Sequence, residues 1–218
     1  LRVTTGGTLD GTAHAVTLTA GSQAIVDGNE SLTLLGTLTN HGTLEIGGDG
    51  VYGFVGTLQI GGTVSLGGGG TVALAEHANP QDTTATQLIT GGALENVDNL
   101  IIGYGKLGGG TLALTNDATG TIEATNGTLL VDTGAAVVAN AGLMEAVAHG
   151  TLELRGTIDS HAGGRLVAND AAAGTSVLLL DGATLLGGSI TTDAADPGSA
   201  LRVTTGGTLD GTAHAVTL

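Results

Sequence analysis

Short segments along the chain alternate apolar and polar residues. Ile122-Glu123-Ala124 and Leu152-Glu153-Leu154 are clear examples. This alternation predicts β-strands in which every second side chain faces a core. No stretch keeps its apolar residues at the spacing of a helix, and dense glycine disfavours a helix further.

Pairs of Asp or Asn with a following Gly separate many of these segments. Such pairs tolerate positive φ, so they predict tight turns between short strands. The pairs are Asp10-Gly11, Asp27-Gly28, Asp49-Gly50, Asn126-Gly127 and Asp181-Gly182.

The strand segments return at a regular period. Ile122, Met144, Leu166 and Ile190 occupy equivalent positions, and the intervals between them are nearly constant. The tripeptide Gly-Thr-(Leu, Ile or Val) occurs twelve times and marks many of the segment starts. A regular period of this size is typical of solenoids, in which each repeat packs on its neighbours.

Two further tracks of segments follow the first within each period. One aligns residues 128–131 with residues 151–154 and then with residues 176–179. The other aligns residues 137–139 with residues 157–159. Each period of about 22 residues therefore holds about three short strands separated by turns.

This periodicity predicts an all-β fold, a right-handed parallel β-helix, because equivalent strands can stack coil on coil and parallel crossovers are right-handed. An antiparallel sandwich is the alternative, since Asp-Gly and Asn-Gly are also hairpin signals. A sandwich has no need for the same motif to return at a fixed spacing, so the period favours the β-helix.

Residues 1–18 and residues 201–218 have the same sequence. The chain therefore predicts one tandem β-solenoid unit over residues 1–200 and the start of the next identical unit over residues 201–218. We expect it to be a segment of a longer tandem array. Residues 78–87 and residues 194–200 are polar or contain Pro, which predicts loops outside the paired strands.

Composition excludes several classes of protein. The chain has no Cys, which excludes a disulfide-stapled domain, and it has 41% hydrophobic residues, which excludes a disordered acidic tail. No apolar run is long enough to span a membrane, so we expect no membrane insertion by this segment. The net charge is −15 with only 5 Lys and Arg residues, so we expect no nucleic-acid partner.

Several segments resemble very large repetitive bacterial surface proteins, the adhesin, autotransporter-like or filamentous-haemagglutinin-like β-strand-repeat family. The segments that carry this resemblance are residues 93–99 followed by Gly103-Tyr104-Gly105, and residues 40–45, 116–123 and 140–145. The resemblance covers most of the chain. It implies a secreted β-helical stalk at the bacterial cell surface, and it brings no catalytic motif with it.

Glu123 and Glu145 are the candidate site residues. The predicted register stacks them on one face, one coil apart, and like charges in that position destabilise a sheet. A hard cation such as Ca²⁺ could bridge them. The alternative, which we favour, is that the two exposed carboxylates diverge and are screened by salt. Val167 takes the next equivalent position, so this ladder has only two members.

Other metal and catalytic chemistry has little support in the sequence. No two of the six His residues have metal-ligand spacing, and no Cys accompanies them, so we expect turn or surface histidines. Residues 47–52 match only the first part of a calcium-binding nonapeptide, because Tyr52 stands where the ligand Asp belongs. Carboxylates occur singly, mostly in turns, whereas glycoside hydrolysis needs a pair of them at a defined separation.

We therefore expect a non-catalytic structural unit of an extracellular bacterial filament or adhesin stalk, acting in attachment or biofilm. Its expected partners are identical tandem units stacked end to end, with a surface glycan or a host or abiotic surface as a further partner. A glycan- or cell-binding module that uses the solenoid face or the loop of residues 78–87 is the first alternative. A polysaccharide lyase or hydrolase is the second, and it requires at least three carboxylates converging in one groove, with a nearby cation.

Overall fold

The chain folds as a parallel β-solenoid in a computed structural model. The structure describes residues 1–48, 54–75, 87–170, 174–193 and 198–218. Within these ranges the chain contains 22 strands, all in one sheet, and no helix. The predicted turn at Asp49-Gly50, the calcium-type motif beyond residue 48, His77, nearly all of the 78–87 loop and most of the 194–200 loop lie outside the described residues.

The strands are short, and several of them turn a corner of the coil. In chain order they are β1 (Arg2–Val3), β2 (Gly7–Leu18), β3 (Gln23–Val26), β4 (Ser31–Asn40), β5 (Thr43–Ile46), β6 (Thr57–Gly67), β7 (Thr71–Leu74), β8 (Gln87–Asn96), β9 (Leu100–Gly108), β10 (Ala113–Asn116), β11 (Thr121–Val131), β12 (Val138–Asn140), β13 (Leu143–Val147), β14 (Thr151–Leu154), β15 (Thr157–Asp159), β16 (Arg165–Ala168), β17 (Val177–Asp181), β18 (Thr184–Leu186), β19 (Gly188–Thr192), β20 (Ala200–Thr204), β21 (Thr208–Asp210) and β22 (Val216–Thr217).

Three columns of parallel strands form the three faces of the solenoid. Face A stacks β1, β3, β5, β7, the first parts of β9 and β11, β13, β16, β19 and β22. Face B stacks the first parts of β2, β4, β6 and β8, the last parts of β9 and β11, β14, β17 and β20. Face C stacks the last parts of β2, β4, β6 and β8, then β10, β12, β15, β18 and β21.

The fold class and the stacking of about three strands per coil confirm the prediction from the period. The coil is longer than predicted, at about 24 residues, and the solenoid has about 8 turns. The difference comes from two long steps on face A, because Glu45 pairs with Ala73 and Ala73 pairs with Ile102. Residues 49–53 and residues 76–86 lie within these steps, outside the described residues.

The core is a set of aliphatic ladders that run from coil to coil. On face A one ladder consists of Ala24, Leu44, Val72, Ile101, Ile122, Met144, Leu166 and Ile190. All of its members are buried. Each coil is too thin to bury an apolar face alone, so the stacking of coils supplies most of the apolar burial.

The predicted registers are confirmed on faces A and C. Ile122 pairs with Met144 and Met144 with Leu166, as the first track requires. Val138 pairs with Ile158 on face C, as the third track requires.

The second track is wrong by one residue at its last member. The prediction aligned Ser176 with Thr151, whereas Thr151 pairs with Val177. Leu178 and Leu180 are thereby the buried residues of β17 that stack on β14. Ser176 is also buried, and its hydroxyl donates a hydrogen bond of 3.2 Å to Asp170 Oδ2. Residues 177–180 are all apolar, so alternation could not fix their register.

The predicted Asp-Gly and Asn-Gly turns differ in their backbone conformation. Asn126 has a φ of 55° and Gly182 a φ of 70°, as such turns require. Gly11 instead lies inside β2, where a Cβ would stand 2.1 Å from the carbonyl oxygen of Thr37. Gly11 is therefore required by a close approach between coils, and not by positive φ.

Buried asparagines form a second kind of ladder, at the corner where face C ends. Asn96 donates through Nδ2 to Asn116 Oδ1 at 2.9 Å, Asn116 donates to Asn140 Oδ1 at 2.9 Å, and Asn140 donates to Ser160 Oγ at 3.2 Å. All of these side chains are buried. The amides also donate to backbone carbonyls, such as that of Leu143 at the start of β13, so the ladder holds the corner together from coil to coil.

One coil, that of β6 and β7, has the glycines of residues 67–70 at this corner and no asparagine. Asn40 reaches past it and donates through Nδ2 to Asn99 Oδ1 at 2.9 Å. A Cβ on Gly70 would stand 2.6 Å from the carbonyl oxygens of Asn40 and Gly42. The absence of a side chain at Gly70 therefore allows the backbones of two coils to approach closely.

Candidate functional site

Glu123 and Glu145 lie side by side on face A, as predicted. They are register partners in β11 and β13, and both side chains are half-buried. Apolar residues cover them above and below, because Ile102 pairs with Glu123 and Val167 pairs with Glu145. The two carboxyl groups are close enough for each to act on the pKa of the other, and both side chains are half-buried rather than fully exposed.

Burial and the neighbouring carboxylate change the proton affinity of this pair. Desolvation, with the charge of Glu145 and the shared hydrogen bond, raises the pKa of Glu123 above its ordinary value of 4.5. Desolvation also raises the pKa of Glu145, although the shared hydrogen bond and the charge of Arg165 oppose it. A hydrogen bond between two carboxyl groups needs one proton, and the pair binds that proton more readily than isolated Glu side chains do.

The pair therefore destabilises the fold as the pH rises. A group whose pKa is raised by folding supports stability below its unfolded pKa, and this support is lost as the pH rises through its folded pKa. We expect Glu123→Gln to raise the free energy of unfolding at pH 7 by about 0.5 kcal/mol, because an amide can donate to Glu145 without a second charge. The gain should vanish below about pH 4.5, the ordinary value for Glu. Urea denaturation at several pH values measures it.

Glu45→Gln is the matched control for this prediction. Glu45 occupies the same column of face A, but its register partners are Ile25 and Ala73, and it accepts a hydrogen bond from Gln23 Nε2 at 2.8 Å. Glu45→Gln should bring no gain. If Ca²⁺ stabilised the original chain and Glu123→Gln removed that effect, a cation would bridge the two carboxylates, and the explanation by a shared proton would be wrong.

A metal ion has limited support at this pair. Among the described residues, no group of three or more His, Cys, Asp or Glu side chains is arranged to hold a metal. A cation bridging Glu123 and Glu145 would therefore take its remaining ligands from water. The Ca²⁺ prediction stays a prediction.

A second charged cluster surrounds Arg155 on face B. Its Nη2 lies 2.7 Å from Glu153 Oε1 and 3.0 Å from Asp181 Oδ2, and the charge of Asp132 also acts on it. Desolvation lowers the pKa of Arg155, but these three carboxylates outweigh it and raise that pKa further. The structure thus places three carboxylates near one cation, which is part of what the enzyme alternative requires, and no groove is described at this cluster.

The chemistry of this cluster fits an ion-pair ladder better than general acid catalysis. Hydrogen bonds from Thr205 and Thr204 lower the pKa of Asp181, and its pairing with Arg155 lowers it further. A catalytic acid needs the opposite shift, towards the working pH. Arg155 also pairs with Glu153 of its own strand and with Asp181 of the next coil, at a surface where such pairs contribute modestly to stability.

A third cluster lies where residues 201–218 meet the preceding coil. The rings of His161 and His214 stack with centroids 4.4 Å apart and planes at 18°. Together with Asp159 and Asp210 they line a shallow cavity of about 240 Å³. Burial acts to raise the pKa of Asp159, but hydrogen bonds from His161 and the charges of both histidines outweigh it and lower that pKa.

The histidine stack, the cluster around Arg155 and the asparagine ladder were not predicted from the sequence. The five histidines that the structure describes lie at the surface as expected, but His161 and His214 are far apart in sequence, and only the coil register brings them together. The asparagine ladder did have a signal, because Asn40, Asn116 and Asn140 each close a strand shortly before a Gly. A polar residue at a strand end is typical of an exposed turn, so this signal does not by itself predict burial.

Comparisons of the chain with family models, with curated proteins and with solved structures give no match. Within the described residues, no helix has the length and hydropathy needed to cross a membrane. The function must therefore be inferred from the residues of the chain and their geometry.

Proposed function

We propose that the chain is a non-catalytic structural unit of an extracellular bacterial surface filament or adhesin stalk, which acts in attachment or biofilm formation. Its expected partners are identical units joined end to end. The bacterial and surface setting comes from the sequence resemblance. The mechanical role comes from the physics of the solenoid.

The observation that supports this proposal is a difference in burial between two copies of one segment. This segment occurs both as residues 1–18 and as residues 201–218. Val3 is 5% exposed because β3 pairs with β1 and covers it, whereas its copy Val203 is 51% exposed. A coil of this fold is stabilised by its neighbours, so a following coil would bury Val203 in the same way. Tandem addition of units therefore buries apolar area at each junction and lengthens the rod without changing its cross-section.

The surface charge suits a shaft that stays separate from its neighbours. The chain carries 20 acidic and 5 basic residues. Several of these acidic groups are held by local hydrogen bonds, as when Asp10 Oδ1 accepts from Thr12 Oγ1 at 2.6 Å. A rod of one charge sign repels other rods and remains dispersed.

The proposal is tested by changing the number of units. Chains with one, two and three units should scatter X-rays as rods of constant cross-section, with each unit adding about 40 Å at about 4.8 Å per coil. In the source bacterium, removal of units should shorten the surface fibre and leave adhesion at its tip intact. Loss of adhesion on replacing residues 78–86 by a Gly-Ser linker, with fibre length unchanged, would favour a binding module instead.

A further inference from the structure

The two copies of the repeated segment lie on different faces of the solenoid. In the first copy, β1 is on face A and pairs with β3, and the start of β2 is on face B and pairs with β4. In the second copy, the equivalent strands β20 and β21 are on faces B and C and pair with β17 and β18. The same sequence is therefore displaced by one face between its two copies.

This displacement follows from the length of a unit. Face A passes from Arg2 to Thr191 in eight steps, through Ile25, Glu45, Ala73, Ile102, Glu123, Glu145 and Val167. Only residues 193–199 separate β19 from β20. A link of that length turns one corner but cannot wind a coil of about 24 residues, so Arg202 falls on face B. A unit therefore covers eight complete coils and one further face of the next coil.

The segment is suited to neighbours on both sides. Val203 stacks on the buried Leu180, and its copy Val3 is covered by Val26. Leu209 stacks on Leu185, and its copy Leu9 is covered by Leu34. The segment can make the pairs to the preceding coil and the pairs to the following coil at the same time, because they lie on opposite edges of its strands. The aliphatic ladders then continue without interruption across the junction.

Some local features are the same in both copies, although Thr205 has a φ of 50° and its copy Thr5 does not have positive φ. Asp10 Oδ1 accepts from the Thr12 amide at 3.0 Å, and Asp210 Oδ1 accepts from the Thr212 amide at 2.9 Å. Gly6 and Gly206 have φ values of 82° and 78°. The segment therefore encodes these two features, while the face on which it lies depends on the coil that it packs against.

We infer that the open edge of residues 201–218 binds a segment with the sequence of residues 19–46 from a following unit, and that this unit is turned by one face relative to the one before it. The inference rests on the proposed tandem shaft and specifies its geometry. Each surface feature then moves from face to face along the shaft. The Glu123–Glu145 pair, on face A of one unit, lies on face B of the next and on face C of the third.

Disulfide trapping in a two-unit chain tests both parts. This chain consists of residues 1–218 followed by residues 19–218 again, and it has no natural Cys. Register neighbours in parallel strands lie close enough for a disulfide. Thr208→Cys should cross-link with Cys at the second unit's copy of Thr33, because Thr8 pairs with Thr33. Thr8→Cys with Thr33→Cys in the first unit is the matched control.

A second pair of variants tests the turn by one face. Thr184→Cys with Thr208→Cys should cross-link, because these residues pair on face C. Thr191→Cys with Arg202→Cys should stay reduced, because that pair would be in register only if a unit spanned whole coils. Mass spectrometry of non-reduced digests identifies each bond.

The outcomes separate the inference from the proposed function. If the seam pair forms but Thr191→Cys cross-links with Arg202→Cys in place of the Thr184–Thr208 pair, the turn by one face is wrong and the shaft remains. If the control pair forms and the seam pair does not, the units do not stack, and both the inference and the proposed shaft fail.

Discussion

Replacement of Leu129 by Ala is expected to lower the free energy of unfolding by about 3 kcal/mol. Leu129 is fully buried on face B and stacks on Leu152 of the next coil. Its partner on the other side is Gly105, which has no side chain to fill the space that a truncated residue would leave. The loss should appear in urea denaturation as a lower midpoint with an unchanged slope.

Leu130→Ala is the matched control, since it makes the same change one residue along the strand. Leu130 points outward and is half-buried, between Lys106 and Glu153. We expect it to lower the free energy of unfolding by less than about 1 kcal/mol. Equal losses at Leu129 and Leu130 would mean that the side chains of this strand do not alternate between core and surface as described, and the assignment of core residues on face B would be wrong.

Replacement of Asn116 by Ala is expected to have an effect of similar size, about 3 kcal/mol. Asn116 accepts from Asn96 Nδ2 at 2.9 Å and donates to Asn140 Oδ1 at 2.9 Å and to the Leu143 carbonyl at 3.2 Å. Its removal leaves the amides of Asn96 and Asn140 buried with lost partners. Buried polar groups without partners are costly because water cannot replace the missing bonds.

Asn169→Ala provides the comparison for this effect. Asn169 is exposed at the surface, and its backbone amide, which the substitution retains, donates to the Ala146 carbonyl at 3.0 Å. Asn169→Ala should change the free energy of unfolding by less than about 0.5 kcal/mol. Hydrogen exchange should show that Asn116→Ala weakens protection mainly in the coils of β8, β10 and β12, because each coil contacts only its neighbours.

The sequence predicts this fold well where short segments alternate and return at a constant spacing. Ile122, Met144 and Leu166 are separated by polar residues and equal intervals, so one register satisfies all of them. The prediction is wrong by one residue at β17, because four consecutive apolar residues fit either register. The structure decides between them through the burial of Leu178 and Leu180.

Contacts between distant residues are the part that sequence reasoning misses. The Glu123–Glu145 pair could be predicted because both residues lie in the clearest track. The His161–His214 stack and the grouping of Asp132, Glu153 and Asp181 around Arg155 depend on coil lengths that vary from step to step. The displacement of the repeated segment by one face has the same origin. It becomes visible only when strand partners are known on both sides of the unit.

The central claim is that tandem units continue one solenoid, and electron cryo-microscopy of a three-unit chain tests it most directly. The account predicts a single straight rod with an axial strand spacing of about 4.8 Å and an advance of about 40 Å per unit. Separate globules joined by linkers, without that axial spacing across the junctions, would contradict it.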